Sequence, residues 1–233
     1  MATKMTRIPS GINSMDTLIE GGFEKGSSVL VVGTPGAGKT TFGLQFLYYG
    51  AIKNKEPGIF ITFDESKDAI QKHYMEYGWD FEDLEKKGLF KILEYRPHQV
   101  NKLMEEGGGI IKDAIKSIDA KRLVFDSVTG YALLFKDEYQ KRESIVNLFE
   151  MLKKLGLTTI FTAEDSTNNV VDSGVSYLTD AIIQLRYENV GKSTKKEHVL
   201  EIIKMRGTKH TDKVCPFEFD KNGIKICNLD SEL

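Results

Sequence analysis

The sequence predicts an α/β fold: a mainly parallel central sheet flanked by helices, with an antiparallel β extension at the C-terminal end. Three observations predict it. Apolar strand-like runs alternate with helical patterns from Ser28 to Thr162, and that alternation builds a parallel sheet covered on both faces. A glycine-rich stretch, Gly33-Thr34-Pro35-Gly36-Ala37-Gly38-Lys39-Thr40, joins an apolar run to a helical one. Beyond Thr179 the pattern reads only as strands and turns.

The bulk numbers fit. A chain of 233 residues is enough for one well-cored domain or two small ones. No linker, repeat, low-complexity tract or second core interrupts it, so residues 1–233 are expected to form one domain. Hydrophobic residues at 40% and charged residues at 28% suit a soluble globular chain. A formal net charge of −2 calls for neither nucleic acid nor an anionic membrane. No apolar run approaches the ~20 residues of a membrane span. Met1 to Arg7 lacks the apolar core of a secretory signal. The expected location is the cytoplasm. Cys215 and Cys227 make no disulfide framework; free thiols are expected, with a single bridge between them as the alternative.

In chain order, Ile8 to Ile12 reads as an extended lead-in, and Asn13 or Ser14 could cap a short helix from Met15 to Ile19. Ser28 to Val32 is the first buried strand, and Thr41 to Ala51 a helix with Phe42, Leu44, Phe46 and Leu47 on its apolar face. Strand Gly58 to Phe63 ends in Asp64-Glu65. Helices follow at Asp68 to Tyr77 and Phe81 to Lys86, then strand Leu89 to Leu93. Gln99 to Met104 is ambiguous, Gly107 to Gly109 is a break, and Ile110 to Ile118 is helical. Strand Arg122 to Asp126 has an acidic end. Helix Tyr139 to Leu155 places Ile145, Leu148, Phe149 and Leu152 on one face. Strand Leu157 to Thr162 precedes a polar stretch, Glu164 to Ser176, read as a loop. Strands Ala181 to Tyr187 and His198 to Met205 flank a turn at Asn189 to Lys196. Pro216 to Phe219 and Ile224 to Cys227 flank Lys221-Asn222-Gly223, a hairpin signal.

The stretch Gly33 to Thr40 has the form G-x-x-x-x-G-K-[ST] between strand and helix, the phosphate-binding loop. Glycines let backbone N–H groups curl around phosphate oxygens, and the following helix points its positive end at the same anion. Lys39 reaches the terminal phosphates, Thr40 offers its hydroxyl to Mg²⁺, and Thr41 extends the phosphate contacts. Asp126 ends an apolar strand, at the sheet edge where ligands gather, and can support that metal. Asp64 and Glu65 end another strand at the same edge, where a carboxylate can align and deprotonate the water that attacks a γ-phosphate. Strand-ending acids also cap turns or face solvent, but the loop upstream favours the catalytic reading. Lys204 and Arg206 project on one side of a strand by alternation. Such cations usually sit on a solvated face, but they suit a triphosphate, in trans if a neighbouring subunit supplies them.

Together these stretches resemble the KaiC-like branch of the RecA-type ATPases, from about Ile8 to Ile226. The resemblance rests on Ser10-Gly11-Ile12 through Leu18, Gly21-Gly22-Phe23 and Gly26, the loop Gly33 to Thr40, and Thr62-Phe63-Asp64-Glu65. It continues in Gly78-Trp79-Asp80, Val124-Phe125-Asp126-Ser127 and Lys204-Met205-Arg206-Gly207-Thr208-Lys209-His210, the most specific stretch. It implies a RecA-like fold, hexameric rings and ATP between subunits, with Mg²⁺ on Thr40 and Asp126. It also implies that Lys204, Met205, Arg206, Thr208 and His210 reach a neighbour's nucleotide. Asp220 is a weaker transfer, because the stretch from His210 to Asp220 is about one residue shorter than the pattern. The first acid is Asp64 where the family usually has Glu, so Glu65 is expected to carry more of the work. Some members hold two such domains and autophosphorylate a Ser-Thr pair before a Thr-Asp; here Ser176 remains and Tyr177 replaces Thr. Clock function is not expected, as no partner-binding tail follows Leu233.

The leading expectation is a slow, ring-forming ATPase with a regulatory or signalling role. Its alternatives are a nucleotide-gated scaffold with negligible hydrolysis and a RecA-like DNA-binding ATPase. Against DNA, the polar loop carries Glu164, Asp165 and Asp172 and no Lys or Arg. A small-molecule kinase would need a lid and an acceptor pocket that the sequence does not reveal. Trp79 and the remaining aromatic residues are assigned to the core rather than to a base platform.

Overall fold

A computed structural model describes residues 6–95, 99, 109–165, 176–189 and 196–227. The strands in chain order are β1 (Arg7–Ile8), β2 (Phe23–Glu24), β3 (Ser28–Gly33), β4 (Gly58–Thr62), β5 (Phe90–Glu94), β6 (Arg122–Asp126), β7 (Thr158–Glu164), β8 (Ala181–Asn189), β9 (Lys196–Met205), β10 (Cys215–Asp220) and β11 (Gly223–Ile226). The helices are α1 (Lys39–Asn54), α2 (Lys67–Tyr74), α3 (Phe81–Lys86), α4 (Gly109–Ile118), α5 (Val128–Ala132) and α6 (Glu138–Lys154). Nine strands form one sheet in the order β11-β10-β9-β8-β3-β7-β6-β4-β5.

Strands β3 to β7 pair in parallel, as the alternation predicts. The C-terminal extension differs in one strand. β8 joins β3 in parallel, and antiparallel pairing begins only with β9. β8 leaves β7 through a long connection, which returns the chain to the amino end of the sheet; β9 follows β8 as a hairpin partner.

Successive residues of β3 serve opposite faces. Val29 and Val31 join a core with Phe42, Phe46, Phe60 and Trp79, while Leu30 and Val32 join a second core with Phe125, Leu148, Phe149 and Phe161. Two-sided burial is why Val29 to Val32 carries no polar residue. Burying each large side chain contributes about 1.5–3 kcal/mol.

Side-chain caps set most helix starts. Ser66, Asp80, Ser127 and Asp137 each accept a hydrogen bond from the backbone N–H three residues on, worth about 1 kcal/mol apiece. The lead-in helix is a 3₁₀ turn, Asp16–Leu18, preceded by Met15 and without a side-chain cap. Ser14 instead sits at φ 66°. Helix α2 stops at Tyr74 and tightens into a 3₁₀ turn over Met75–Tyr77. The short helix α5, capped by Ser127, has no counterpart in the sequence reading. Glu164 belongs to β7 and Asp165 is buried, so neither lies on a loop surface. Most of that polar stretch, 166–175, lies outside the described residues, as do 100–108 and residues 190–195, where a turn is expected. The two cysteines are free. Phe217 pairs with Ile226, so alternation places Cys215 and Cys227 on opposite faces of the hairpin.

Candidate functional site

Parallel pairing brings several strand ends to one edge. Gly33 lies opposite Glu164 on one side and Leu185 on the other, and Thr62 lies opposite Asp126. This carboxyl edge is where open α/β sheets bind ligands.

From Gly33 the chain turns through Thr34, Pro35, Gly36 and Ala37 to Gly38, which precedes α1. Gly36 and Gly38 have φ of 79° and 97°, left-handed values that favour glycine. A Cβ on Gly33 would stand 2.3 Å from the Leu185 carbonyl oxygen, and one on Gly38 2.7 Å from Phe219 Cζ. The backbone clash excludes a side chain at Gly33, and at Gly38 the left-handed φ disfavours one while Phe219 crowds it. Thr34, Pro35 and Gly36 are exposed, and Ala37 is buried.

Lys39 Nζ donates to the carbonyl oxygens of Gly33 at 2.8 Å and Thr34 at 3.0 Å. Burial lowers its pKa, while the charges of Glu164 and Asp126 work against that. Thr40 Oγ1 donates to Asp126 Oδ2 at 2.8 Å, and Thr162 Oγ1 donates to Asp126 Oδ1. Burial pushes the Asp126 pKa up, Asp64 adds to that, and the two threonine hydrogen bonds and Lys39 oppose it. Among the described residues, no group of three or more His, Cys, Asp or Glu could hold a metal by itself. One carboxylate beside one hydroxyl is the donor set that suits Mg²⁺ brought in with phosphate oxygens.

A cavity of about 330 Å³ opens beside the loop, lined by Gly36, Gly38, Lys39, Thr40, Thr41, Glu65, Tyr74, Tyr77 and Phe219. Burial raises the Glu65 pKa; Asp126 and Asp64 raise it further, and His73, 3.9 Å away, pulls it down. Asp64 is exposed and is not among the residues lining the cavity; its Oδ2 faces Gly130 of α5. The two acids therefore diverge, with Glu65 towards the phosphate loop.

The aromatic wall of this cavity is built on the core to which the sequence assigns these residues. Trp79 is core, 1% exposed. Tyr74, Tyr77 and Phe219 line the cavity instead. Tyr74 OH lies 3.3 Å from Thr41 Oγ1, and its ring stacks on Trp79 with centroids 5.8 Å apart. Phe219 is braced edge-on by His198 at 5.0 Å and by Phe217 at 5.7 Å. Tyr74 and Tyr77 recur at i, i+3 at the end of a helix already recognised, a signal that was legible. Phe219 reaches Gly38 from far downstream in the chain and leaves no local signal. Thr162 follows Asp126 by 36 positions and was equally silent.

The second group of expected residues lies at the other edge. Lys204, near the end of β9, donates from Nζ to the carbonyl oxygens of Ser176 at 3.0 Å and Thr179 at 2.7 Å. Arg206 is not on the strand: β9 ends at Met205, and Arg206 occupies the turn beyond it. It still grips the same segment as Lys204, because Arg206 donates to the Tyr177 carbonyl at 3.0 Å and lies 3.8 Å from Asp180. Asp180 in turn accepts from Ser28 N, at the start of β3. β3 is six residues long, and at about 3.3 Å per residue it holds this cluster roughly 17 Å from the chain's own phosphate loop. Met205 packs against the core. The Thr208 hydroxyl is 2.6 Å from Arg7 Nη1, which donates to it, and His210 Nδ1 is 2.9 Å from the Thr211 carbonyl. Asp220, unlike the others, is at the carboxyl edge next to the cavity-lining Phe219, and it caps its own hairpin turn through Asn222 N. Lys204 and Arg206 are thus brought together; Thr208, His210 and Asp220 have other local partners.

Comparison with known proteins places this geometry. The family model for the KaiC ATPase matches residues 8–231. The chain is 36% identical over 235 residues to the circadian clock oscillator protein KaiC of Prochlorococcus marinus subsp. pastoris, covering 97% of this chain and 46% of that one. It is 35% identical over 241 residues to the KaiC of Thermosynechococcus vestitus, covering 98% of this chain and 45% of the relative. The chain therefore spans about half the length of the curated relatives it matches. A crystal structure of a KaiC-like protein from Pyrococcus horikoshii OT3 superposes with a TM-score of 0.86 at 36% identity, covering 96% of this chain and all of that one.

Proposed function

The chain belongs to the KaiC family of ATPases, and from that membership we propose that it binds ATP with Mg²⁺ beside Lys39 and hydrolyses it slowly at the seam of a ring-shaped homo-oligomer, a hexamer by family resemblance. Residues 1–233 act as one ATPase unit in the cytoplasm, with a regulatory or signalling role.

One observation carries the reading: charge at the carboxyl edge does not balance. Lys39 is the one cation among the residues lining the cavity. Around it stand Glu65, Asp126 and Glu164. A triphosphate would add more negative charge, so further cations must come from outside the site. Thr40 and Asp126 would hold Mg²⁺, which neutralises phosphate charge. The chain's own Lys204 and Arg206 are at the far edge of the sheet, out of reach of its own phosphates and available to a neighbour's. Glu65, beside the loop and with its pKa raised, is the base that takes a proton from the attacking water; Asp64 supports it electrostatically. Met205, Thr208 and His210 belong to the same cross-seam surface. Ser176 lies on the segment held by Lys204 and Arg206, where a weak autokinase activity would find its hydroxyl; intact mass after incubation with ATP tests that part.

The deciding experiment measures molar mass and turnover together, with and without ATP–Mg²⁺. Assembly on adding nucleotide, with turnover that falls on dilution, is the expected result. A monomer that hydrolyses ATP at an undiminished rate at every dilution overturns the seam.

A further inference from the structure

Glu164 enters the reading above only as one of the charges around Lys39, yet its position is closely defined. It stands opposite Gly33 in the β3–β7 pairing. Alternation puts it on the same face as Thr162, whose hydroxyl is on Asp126, whose other oxygen is on Thr40. Glu164 is therefore one pleat nearer the edge, on the face where the metal-side carboxylate meets the first turn of α1. Its backbone is pinned. Glu164 N donates to Thr129 Oγ1 at 2.9 Å. The next residue, Asp165, donates from N to Gly33 O at 3.1 Å and accepts from Gln184 Nε2 at 2.8 Å. The Glu164 side chain is exposed, and its carboxylate makes no hydrogen bond or ion pair with the described residues. Its charge acts on Lys39 more strongly than that of Asp126 does.

We propose that Glu164 is a specificity-determining residue: a fixed negative charge at the phosphate end of Lys39 that disfavours a nucleoside triphosphate relative to a diphosphate until cations arrive from a second subunit. The inference rests on the nucleotide site proposed above. Coulomb repulsion falls with distance, so the group that adds charge nearest Glu164 feels it most. An isolated subunit then prefers the diphosphate, and Lys204 and Arg206 of a neighbour offset the penalty. Triphosphate retention becomes coupled to assembly without any moving part.

The test is equilibrium competition of ATP and of ADP against a fluorescent ADP analogue, with saturating Mg²⁺, at a dilution where the wild-type chain is monomeric by mass. Glu164→Gln is expected to tighten ATP binding about fivefold, the order of one water-screened charge–charge interaction, and to change ADP binding less than about twofold. Glu164→Asp, which keeps the charge, retains the wild-type ATP-to-ADP ratio. Added salt shrinks the gap between wild type and Glu164→Gln. Equal shifts for ATP and ADP, or weaker ATP binding in Glu164→Gln, overturn the role of Glu164 while leaving the site intact. A wild-type chain that binds neither nucleotide overturns the site itself.

Discussion

Thr40 and Asp126 are 86 positions apart in the chain and meet at 2.8 Å, hydroxyl to carboxylate. The contact joins the first turn of α1 to the end of β6, and Thr162 holds the other carboxylate oxygen. Asp126→Asn keeps the shape and removes the charge. It is expected to lower turnover or Mg²⁺ affinity about 10- to 100-fold, read as a raised Mg²⁺ requirement in a steady-state ATPase assay. Unchanged Mg²⁺ dependence would remove Asp126 from the metal site.

Glu65 has a pKa raised above the ordinary glutamate value by burial, Asp126 and Asp64. As a base it works only when ionised, so turnover should climb with pH through a midpoint above the normal carboxylate range. Glu65→Gln should abolish that limb with the turnover. Stability should move the other way. A raised folded-state pKa means ionisation is disfavoured in the fold, so stability is lost as pH rises from the unfolded value through the folded one. Above that window Glu65→Gln should melt higher than wild type without nucleotide. A variant that is both fully active and no more stable contradicts both statements.

Arg206→Ala should retain nucleotide binding in its own cavity and lose hydrolysis. Lys39→Ala should lose binding but still present Arg206. Mixing the two inactive variants should restore part of the activity, at seams that pair an intact Lys39 with an intact Arg206. No recovery on mixing, although mixed oligomers are seen by native mass spectrometry, would assign Arg206 to holding Tyr177 and Asp180 within one chain.

Arg122 is 1% exposed and is an architectural cation. It donates to Glu56 at 2.7 Å and to the carbonyl oxygens of Pro9 and Phe46 at 3.0 and 2.9 Å, tying the lead-in and α1 to β6. Arg122→Ala strands these acceptors and should cost about 3 kcal/mol, measured by urea unfolding. Gly50→Ala is the subtler companion. Alanine in a helix interior normally gains about 1 kcal/mol over glycine, but here its Cβ would stand 2.4 Å from Arg122 Nε. With the guanidinium pinned at three points, the substitution should destabilise the chain. A more stable Gly50→Ala would show that Arg122 can yield.

The phosphate loop was legible because its requirements are local. Two left-handed glycines, a lysine and a hydroxyl at fixed spacing between an apolar strand and a helix impose their chemistry within one stretch. Strand ends such as Asp126 and Glu65 were legible for a related reason, since parallel pairing sends every such end to one edge. Less legible was anything set by pairing partners far along the chain. β8 reads like β9 in sequence, yet it lies parallel to β3, because direction depends on where the preceding connection returns. Arg206 grips the same segment as Lys204 although the strand ends between them, whereas alternation alone assigns them to one strand face.

The order of residues therefore determined which side chains offer a cation, a hydroxyl and carboxylates to the proposed site, because those capacities reside in residue type and short spacing. Tertiary structure alone decided which acid turns towards Lys39, that Phe219 closes the loop against Gly38, and that Lys204 and Arg206 stand at the sheet edge opposite the chain's own phosphate site. Those outcomes depend on strand order and register, which arise from burying two apolar faces at once and are written in no single stretch of the chain.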